Sequence, residues 1–394
     1  MTKARKIWII FILGTLSAFG PLSLDMYASS LPDMQKQLHT TASLAQLTIT
    51  TCLIGLAIGQ IFIGPLSDKI GRRIPTLISL IVFALSSFLI ALAPNIDWLI
   101  CLRFLQGLAG SVGIVTSKAM CSDLFRGKEF ARYYYMLMAV NSIFPVFAPT
   151  IGGFFLLFGN WRLIFIALGV IGVLLLIAVF FFKETLAKEL AVKAKQRIPL
   201  KEILTNKVFI SFTLVSGFMT GALYAYIAGS SFMLQDIFGM SAFSYSLLYA
   251  FNGIGQVIFT WLGAKLTQKF KEQKVLLWGI EVAILAAIVL ILTTWLPHQL
   301  RYVIIPLFLI VSLVGIGNPL GSALAIEQER EVAGTASAII GLLQNLLGAF
   351  ISPLVGLFGQ KTYLPMAIII FLCEFIALLW WQLGTKKHYN NHVK

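Results

Sequence analysis

Gly64-Pro65-Leu66-Ser67-Asp68-Lys69-Ile70-Gly71-Arg72-Arg73 lies where one apolar run, 44–66, gives way to another, 74–94. Its composition reads as a tight, charged turn. Gly71 permits the reversal, Gly64 lets another backbone come close, and Asp68 can pair with the basic residues or with a helix N-terminus. Each flanking run is about twenty residues, the length a helix rising 1.5 Å per residue needs to cross roughly 30 Å of hydrocarbon. In lipid every backbone amide must be bonded within its own segment, so both runs are read as helices.

The same reading extends in both directions along the chain. Runs fall near 7–31, 44–66, 74–94, 98–121, 132–156, 161–182, 208–234, 242–264, 275–296, 301–326, 332–358 and 362–384, which makes twelve membrane spans. Composition agrees: 58% of the 394 residues are hydrophobic and 12% charged, a balance that no soluble domain shows. Lys3, Arg5 and Lys6 precede the first run as in a signal peptide, but the run is too long and lacks a small-residue cleavage site, so it is kept as a helix.

A formal charge of +14 raises the question of nucleic acid, and the distribution of that charge answers it. With both termini cytoplasmic, the basic residues gather on that side. Lys36, Arg162, Arg301 and Lys361 fall outside, and Arg103 and Lys118 fall within spans. That is the positive-inside pattern of a multi-pass protein of the bacterial inner membrane, and it leaves no role for nucleic acid. Cys52, Cys101, Cys121 and Cys373 sit singly in apolar spans, without metal or disulfide spacing, and read as small buried hydrophobes.

The longest polar stretch, 183–207, divides the spans six and six. The expected organisation is therefore a bundle over 1–182, a cytoplasmic linker over 183–207 and a second bundle over 208–394, all α-helical. A weak internal repeat supports duplication. Gly64-Pro-Leu-Ser-Asp-Lys has a counterpart in Gly263-Ala-Lys-Leu-Thr-Gln, and Ala148-Pro149 has one in Ser352-Pro353.

The decapeptide resembles the G-x-L-x-D-r-x-G-R-R signature of the major facilitator superfamily, and the helix number and central loop extend the resemblance over the whole chain. Leu24-Asp25-Met26-Tyr27 with Leu31-Pro32 resembles the first helix of the Bcr/CflA drug-resistance subfamily. Arg103-Phe104-Leu105-Gln106-Gly107 is similar to the fourth-helix motif of proton-driven members, and Gly334-Thr335-Ala336-Ser337-Ala338 with Gln344 also fits the subfamily. Ala148-Pro149-Thr150-Ile151-Gly152-Gly153 is similar to the fifth-helix antiporter motif, with Ala148 in place of its first glycine. In the second half Thr267 stands where the loop aspartate would be. The resemblance implies the major facilitator fold and a cytoplasmic gate at Gly64, Asp68, Gly71, Arg72 and Arg73. It also implies an antiporter element at Pro149, Gly152 and Gly153.

Charges inside spans carry the mechanistic expectation. An Asp or Arg in mid-membrane costs about 2.5–3.5 kcal/mol on insertion scales, so it must be paired or face water. Asp25 in the first span and Arg103 in the fourth both lie about 9 Å below the outer surface by residue count, which makes them a candidate proton-coupling pair. Lys118 is read as snorkelling to the headgroups. Glu281 and Glu374 are read as structural, because the resemblance places the ninth and twelfth helices in the scaffold, with a proton- or cation-binding role as the alternative. Pro21, Pro145 and Pro149 remove backbone donors and allow bends.

The resemblance also assigns Tyr27, Gln106, Asn141, Tyr224, Tyr226, Asn252, Gln256, Asn318 and Gln344 to cavity-lining helices. These side chains offer ring faces and hydrogen bonds with little fixed charge, which suits lipophilic or amphipathic small molecules. The implied activity is proton-coupled efflux by a monomer, of drug-like compounds or alternatively of a metabolite, amino acid or siderophore. A nutrient importer fits the antiporter-like motif less well. His39, His298, His388 and His392 lie in loops or the tail and no nucleophile–base arrangement is visible, which argues against an enzyme. Without G-x-x-x-x-G-K-[ST] no ATP site is expected, and neither a metal nor any other cofactor is implied.

Overall fold

The computed structural model describes residues 3–125, 127–186, 200–297, 299–329, 333–356 and 362–392. The side chains of Pro65, Asp68, Asn141 and Pro145 lie outside what is described, as do residues 187–199 of the expected linker.

Twelve long helices run through the described residues. They are α1 (Lys3–Ala28), α2 (Ala42–Ile70), α3 (Arg73–Ala91), α4 (Ile96–Leu124), α5 (Gly127–Phe158) and α6 (Arg162–Phe180). They continue as α7 (Lys207–Phe232), α8 (Ala242–Leu266), α9 (Glu272–Leu292), α10 (Leu300–Glu327), α11 (Ala333–Gly356) and α12 (Leu364–His392). Eleven are long and apolar enough to cross a bilayer, and α5 contributes the shorter apolar stretch Phe147–Phe158. By contacts the chain divides into Met1–Gln196 with Ala242–Leu247, and Arg197–Ser241 with Leu248–Lys394.

Several boundaries shift from the sequence reading, and two of the shifts have a clear local reason. The first span ends at Ala28, and a separate short helix, Leu31–Gln37, follows with Pro32 in its first turn, where a missing N–H costs nothing. More consequentially, the charged decapeptide is not a turn along its whole length. Residues up to Ile70 complete α2, and only Gly71 and Arg72 separate it from α3. Gly71 has φ +96°, a conformation that side chains with a Cβ rarely adopt, so the glycine requirement sits at this one residue.

Within the first unit α2 packs along α4, α1 along α5 and α4, and α3 along α4 and α6. The α2–α4 contact is backbone to backbone. A methyl at Gly107 would land on the Cys52 carbonyl, and one at Gly55 would land on that of Phe104. Small residues let membrane helices approach this closely, and dispersion then replaces the hydrophobic drive that lipid cannot supply. Gly152 does the same for α5 against the Met26 carbonyl of α1. Gly64 does not act as expected, since a Cβ built there meets no described atom within 4 Å. Arg162 donates to the carbonyls of Ala91 (2.8 Å) and Ala93 (2.9 Å), capping the C-terminal end of α3.

In the second unit α7 is the central helix, packed against α10, α11 and α12, while α9 joins α10 to α12. Its apolar cluster includes Phe209, Phe212, Val215, Met219, Leu276, Ile280, Leu324 and Ala377.

Replacing Gly107 by Val should destabilise the protein by about 1–3 kcal/mol, the usual cost of overpacking. Gly64→Ala should leave the melting temperature in detergent unchanged. Equal melting of both variants would show that α2 and α4 are not in backbone contact.

Candidate functional site

Among the described residues of the first unit a cation is fully enclosed. Arg103 of α4 has no solvent exposure. Its Nη1 donates to Gln106 Oε1 (2.6 Å) and the Ser23 carbonyl (3.4 Å), and its Nε donates to the Thr48 carbonyl (3.4 Å). All three acceptors are neutral, and they come from α1, α2 and α4. The rings of Tyr27 and Phe165 cover the guanidinium at 5.0 and 5.6 Å, while Nη2 has no hydrogen-bond partner. Aromatic faces attract a cation by about 0.5–2 kcal/mol each, more when water is excluded. Gln106 is itself held by donating to Ser87 Oγ of α3 (2.7 Å), so a chain of polar groups crosses the unit.

Asp25 is also buried, at 8% exposure. Ser23 and Tyr27, its neighbours at two residues' distance, both touch Arg103 and share one helix face. By helix geometry Asp25 is offset about 180° around α1 from that face. The side chains expected to pair thus occupy one level of one unit, but the three hydrogen bonds of Arg103 go elsewhere. Met26, next along α1, carries the carbonyl against which Gly152 of α5 packs. Pro149, Gly152 and Gly153 are all buried.

At the α2–α3 corner the charged residues form a second network. Arg72 donates through Nε to Asp123 Oδ2 (3.3 Å) and through Nη1 to Ser67 Oγ (2.7 Å). Arg73 donates to the Phe180 carbonyl (2.6 Å) and stacks on the Phe180 ring. The organising group is one that the motif does not contain. Glu184, just beyond α6, accepts from the backbone N–H groups of Arg72 (2.9 Å) and Arg73 (3.1 Å), the otherwise unbonded donors that open α3. It also accepts from Thr185 and Leu186. Partial burial pushes its carboxyl up, but the N–H donors of Leu186, Arg72, Arg73 and Thr185 outweigh that and hold it below the ordinary carboxylate range. Glu184 also lies 2.5 Å from a Cβ placed at Gly71, so the glycine leaves room for it. In the sequence it is a single acid in a polar linker; only folding brings it back to residue 72.

In the second unit polar side chains link α7 to α10 and α11. Asn318 donates to Thr220 Oγ1 (2.9 Å), Gln344 to Ser216 Oγ (3.3 Å), and Tyr224 to Asn345 Oδ1 (3.4 Å). Asn318, Gln344 and Tyr224 are partly exposed, as is Gln256 of α8. Tyr226 and Asn252 differ in having almost no exposure, and Asn252 Nδ2 donates to the Tyr226 hydroxyl (2.8 Å). Tyr27, whose hydroxyl lies 3.0 Å from Thr48 Oγ1, and Gln106 are likewise fully buried inside their own unit. Lys118, Glu281 and Cys101 are exposed, so Cys101 departs from the expected burial of all four cysteines. Glu374 is fully buried with both oxygens unpartnered.

Gln106→Ala should cost about 1–3 kcal/mol, because it strands a buried guanidinium N–H of Arg103. An unaltered melting temperature would show that Arg103 does not depend on Gln106. Glu184→Gln should cost about 1 kcal/mol at neutral pH, the usual worth of an N-terminal helix cap. A carboxyl held low stabilises the fold above its unfolded-state range and loses that contribution as pH falls through its folded value. The gap in melting temperature between wild type and E184Q should therefore close on acidification below the ordinary carboxylate range, and a gap independent of pH would contradict the clamp.

Comparison with known proteins agrees with this architecture. The model of the Major Facilitator Superfamily matches residues 10–353. The chain is 37% identical over 384 residues to the uncharacterized MFS-type transporter YdgK of Bacillus subtilis, covering 96% of this chain and 95% of that one. It is 27% identical to the bicyclomycin resistance protein homolog of Haemophilus influenzae and 24% identical to multidrug resistance protein D of Escherichia coli, each over 98% of both chains. Among solved structures, a bacterial homolog of the human lysosomal transporter Spinster, inward-facing and unoccupied, superimposes with a TM-score of 0.78 at 15% identity, over 98% of both chains. The D-xylose-proton symporter gives a TM-score of 0.76 at 17% identity, over 97% of this chain and 98% of that one. With twelve helices, the α2–α3 corner and the buried arginine of α4 in place, the chain belongs to the major facilitator superfamily and is a multi-pass membrane transporter of the Bcr/CflA-like kind.

Proposed function

We propose that the chain is a proton-coupled antiporter that exports small lipophilic or amphipathic compounds across the bacterial inner membrane by alternating access. In this reading it works as a monomer with both termini cytoplasmic. The observation that carries it is the buried cation of the first unit. Arg103 is desolvated among neutral acceptors and aromatic faces at the level of Asp25 on α1. In a medium of low dielectric a fixed charge acts across the width of a helix, so gain or loss of a proton at Asp25 changes the energy of α1 against α2, α4 and α5. Gly152, seated on Met26, transmits that change to α5 through backbone contact.

Asp68, Gly71, Arg72 and Arg73 serve as the cytoplasmic gate, with Asp123 and Glu184 setting the angle of the corner. The substrate face is the partly exposed polar set of the second unit, Tyr224, Asn318, Gln344 and Asn345, together with Gln256. Tyr27, Gln106, Tyr226 and Asn252 are supports behind the site. Neutral donors, acceptors and ring faces suit an amphipathic compound better than a sugar phosphate or a nucleotide. The relatives named for bicyclomycin and multidrug resistance support the same class of cargo.

The test is ethidium and chloramphenicol uptake by inside-out vesicles with and without an imposed pH gradient. Wild type should accumulate a compound only with the gradient, and Asp25→Asn should lose about tenfold of that component, equivalent to about 1.4 kcal/mol of coupling. Full gradient-dependent uptake in D25N removes Asp25 from the coupling role. Asn318→Leu should raise KM severalfold while largely sparing the maximal rate, and an unchanged KM would move the substrate face elsewhere.

A further inference from the structure

The second unit contains an acid that the mechanism above does not use. Glu374 lies near the middle of α12, has no solvent exposure, and neither carboxylate oxygen has a hydrogen-bond partner. Its surroundings follow from helix register. Gly229 meets Met366, Gly221 meets Cys373, and Gly384 meets Ser211, so α7 and α12 run antiparallel with Glu374 level with Thr220. On the other side Trp381 donates to the Gln273 carbonyl and Tyr363 to Thr293 Oγ1, which puts Glu374 level with Ile280 and Glu281 of α9. Trp381 lies two helical turns from Glu374 on the same face, so that face looks toward α9. The α9 residues buried near this level are Gly279, Ile280 and Ala283, all apolar.

Among the described residues of α7, α9 and α11 no cation lies at that depth. The only basic residue of α7 is Lys207, at its start, and that of α9 is Lys274, in its first turn; α11 has none. Of the other titratable groups on these helices, Glu272 lies in the first turn of α9, Tyr224 is directed to Asn345 and Gly348, Tyr226 accepts from Asn252, and Glu281 is exposed. Cys373 is turned toward Gly221. An ionised carboxylate without partner or water is far costlier than the neutral acid, so Glu374 holds its proton in this conformation.

We propose that Glu374 is a second proton-binding site, loaded while α7, α9 and α12 are packed as they are here and emptied when their rearrangement admits water or a hydrogen-bond donor to the carboxyl. Of the two roles the sequence leaves open for this acid, proton binding is the one favoured here: a structural role would call for a partner, and neither oxygen has one. The step is a simple ionisation in which the O–H bond breaks, its electrons stay on the carboxylate and the proton passes to water. The proposal rests on the proton-coupled reading, but its test does not require transport.

Infrared spectra of the full-length protein in detergent, recorded as a function of pH, decide it. Wild type should show the carbonyl band of a protonated carboxylic acid in an apolar setting. A component of that band should bleach reversibly on alkalinisation, be lost from the spectrum in Glu374→Gln, and shift without vanishing in Glu374→Asp. A spectrum of E374Q identical to that of wild type, or a Glu374 component that never bleaches up to the pH of unfolding, overturns the proposal. If E374Q does not fold, the shift in E374D still assigns the band. Failure of wild-type vesicles to move ethidium or chloramphenicol would count against the efflux reading and leave the titration of Glu374 intact.

Discussion

A cation buried among neutral groups is the constraint on which the first unit depends. Arg103 cannot leave its place cheaply, because it is fully buried and its Nε and Nη1 donate to acceptors from α1, α2 and α4. Nor can those helices move far without leaving it unsolvated. The glycine contacts at Gly55, Gly107 and Gly152 bring the backbones near enough for a single guanidinium to reach carbonyls on two neighbouring helices. Packing and polar bonding therefore specify the same arrangement. Lipid offers no hydrophobic drive between helices, so this agreement, more than apolar area, holds the unit together.

The second unit solves the same problem with neutral groups. Its central helix α7 carries Ser216, Thr220 and Tyr224 at spacings of four, which place them along one face, and each meets an amide side chain from α10 or α11. Such bonds are worth about 0.6 kcal/mol on average in a membrane protein, so the ladder is soft where the arginine site is stiff. A soft, partly exposed polar face can exchange its internal bonds for bonds to a ligand; a fully enclosed guanidinium cannot. That difference, and no difference in helix content, separates the roles proposed for the two halves.

Helix number and the location of nearly every span were legible in the sequence because the rule that governs them, about twenty apolar residues per crossing, is local. The polar decapeptide misled for a related reason. Charges on the last turns of α2 project from a helix that continues beneath them, and composition does not distinguish that from a loop. Arg103 could be found as a lone cation in an apolar run, whereas its acceptors are main-chain carbonyls with no sequence signal. Glu184 carries the corner through backbone N–H groups 112 and 111 residues away and belongs to no local pattern. The amide and tyrosine residues that the resemblance assigns to cavity-lining helices stand out in the sequence as polar groups in apolar runs, but periodicity alone could not say which face of a helix is inward. The structure buries Tyr27, Gln106, Tyr226 and Asn252 and leaves Tyr224, Asn318 and Gln344 partly open.

The acids illustrate how environment, rather than residue type, assigns a role. Asp123 and Glu184 face arginine or backbone donors at the end of a bundle, where an ionised carboxylate is stabilised by each bond it accepts. Glu281 lies exposed on the side of α9. Glu374, at the same level but turned inward among apolar side chains, has neither solvent nor donor and can persist only as the neutral acid. A transporter that must release what it binds needs groups whose stable protonation state differs between conformations. That requirement selects acids whose surroundings the conformational change can alter, which describes a carboxyl between two packed helices and excludes one already fixed by an arginine or by water.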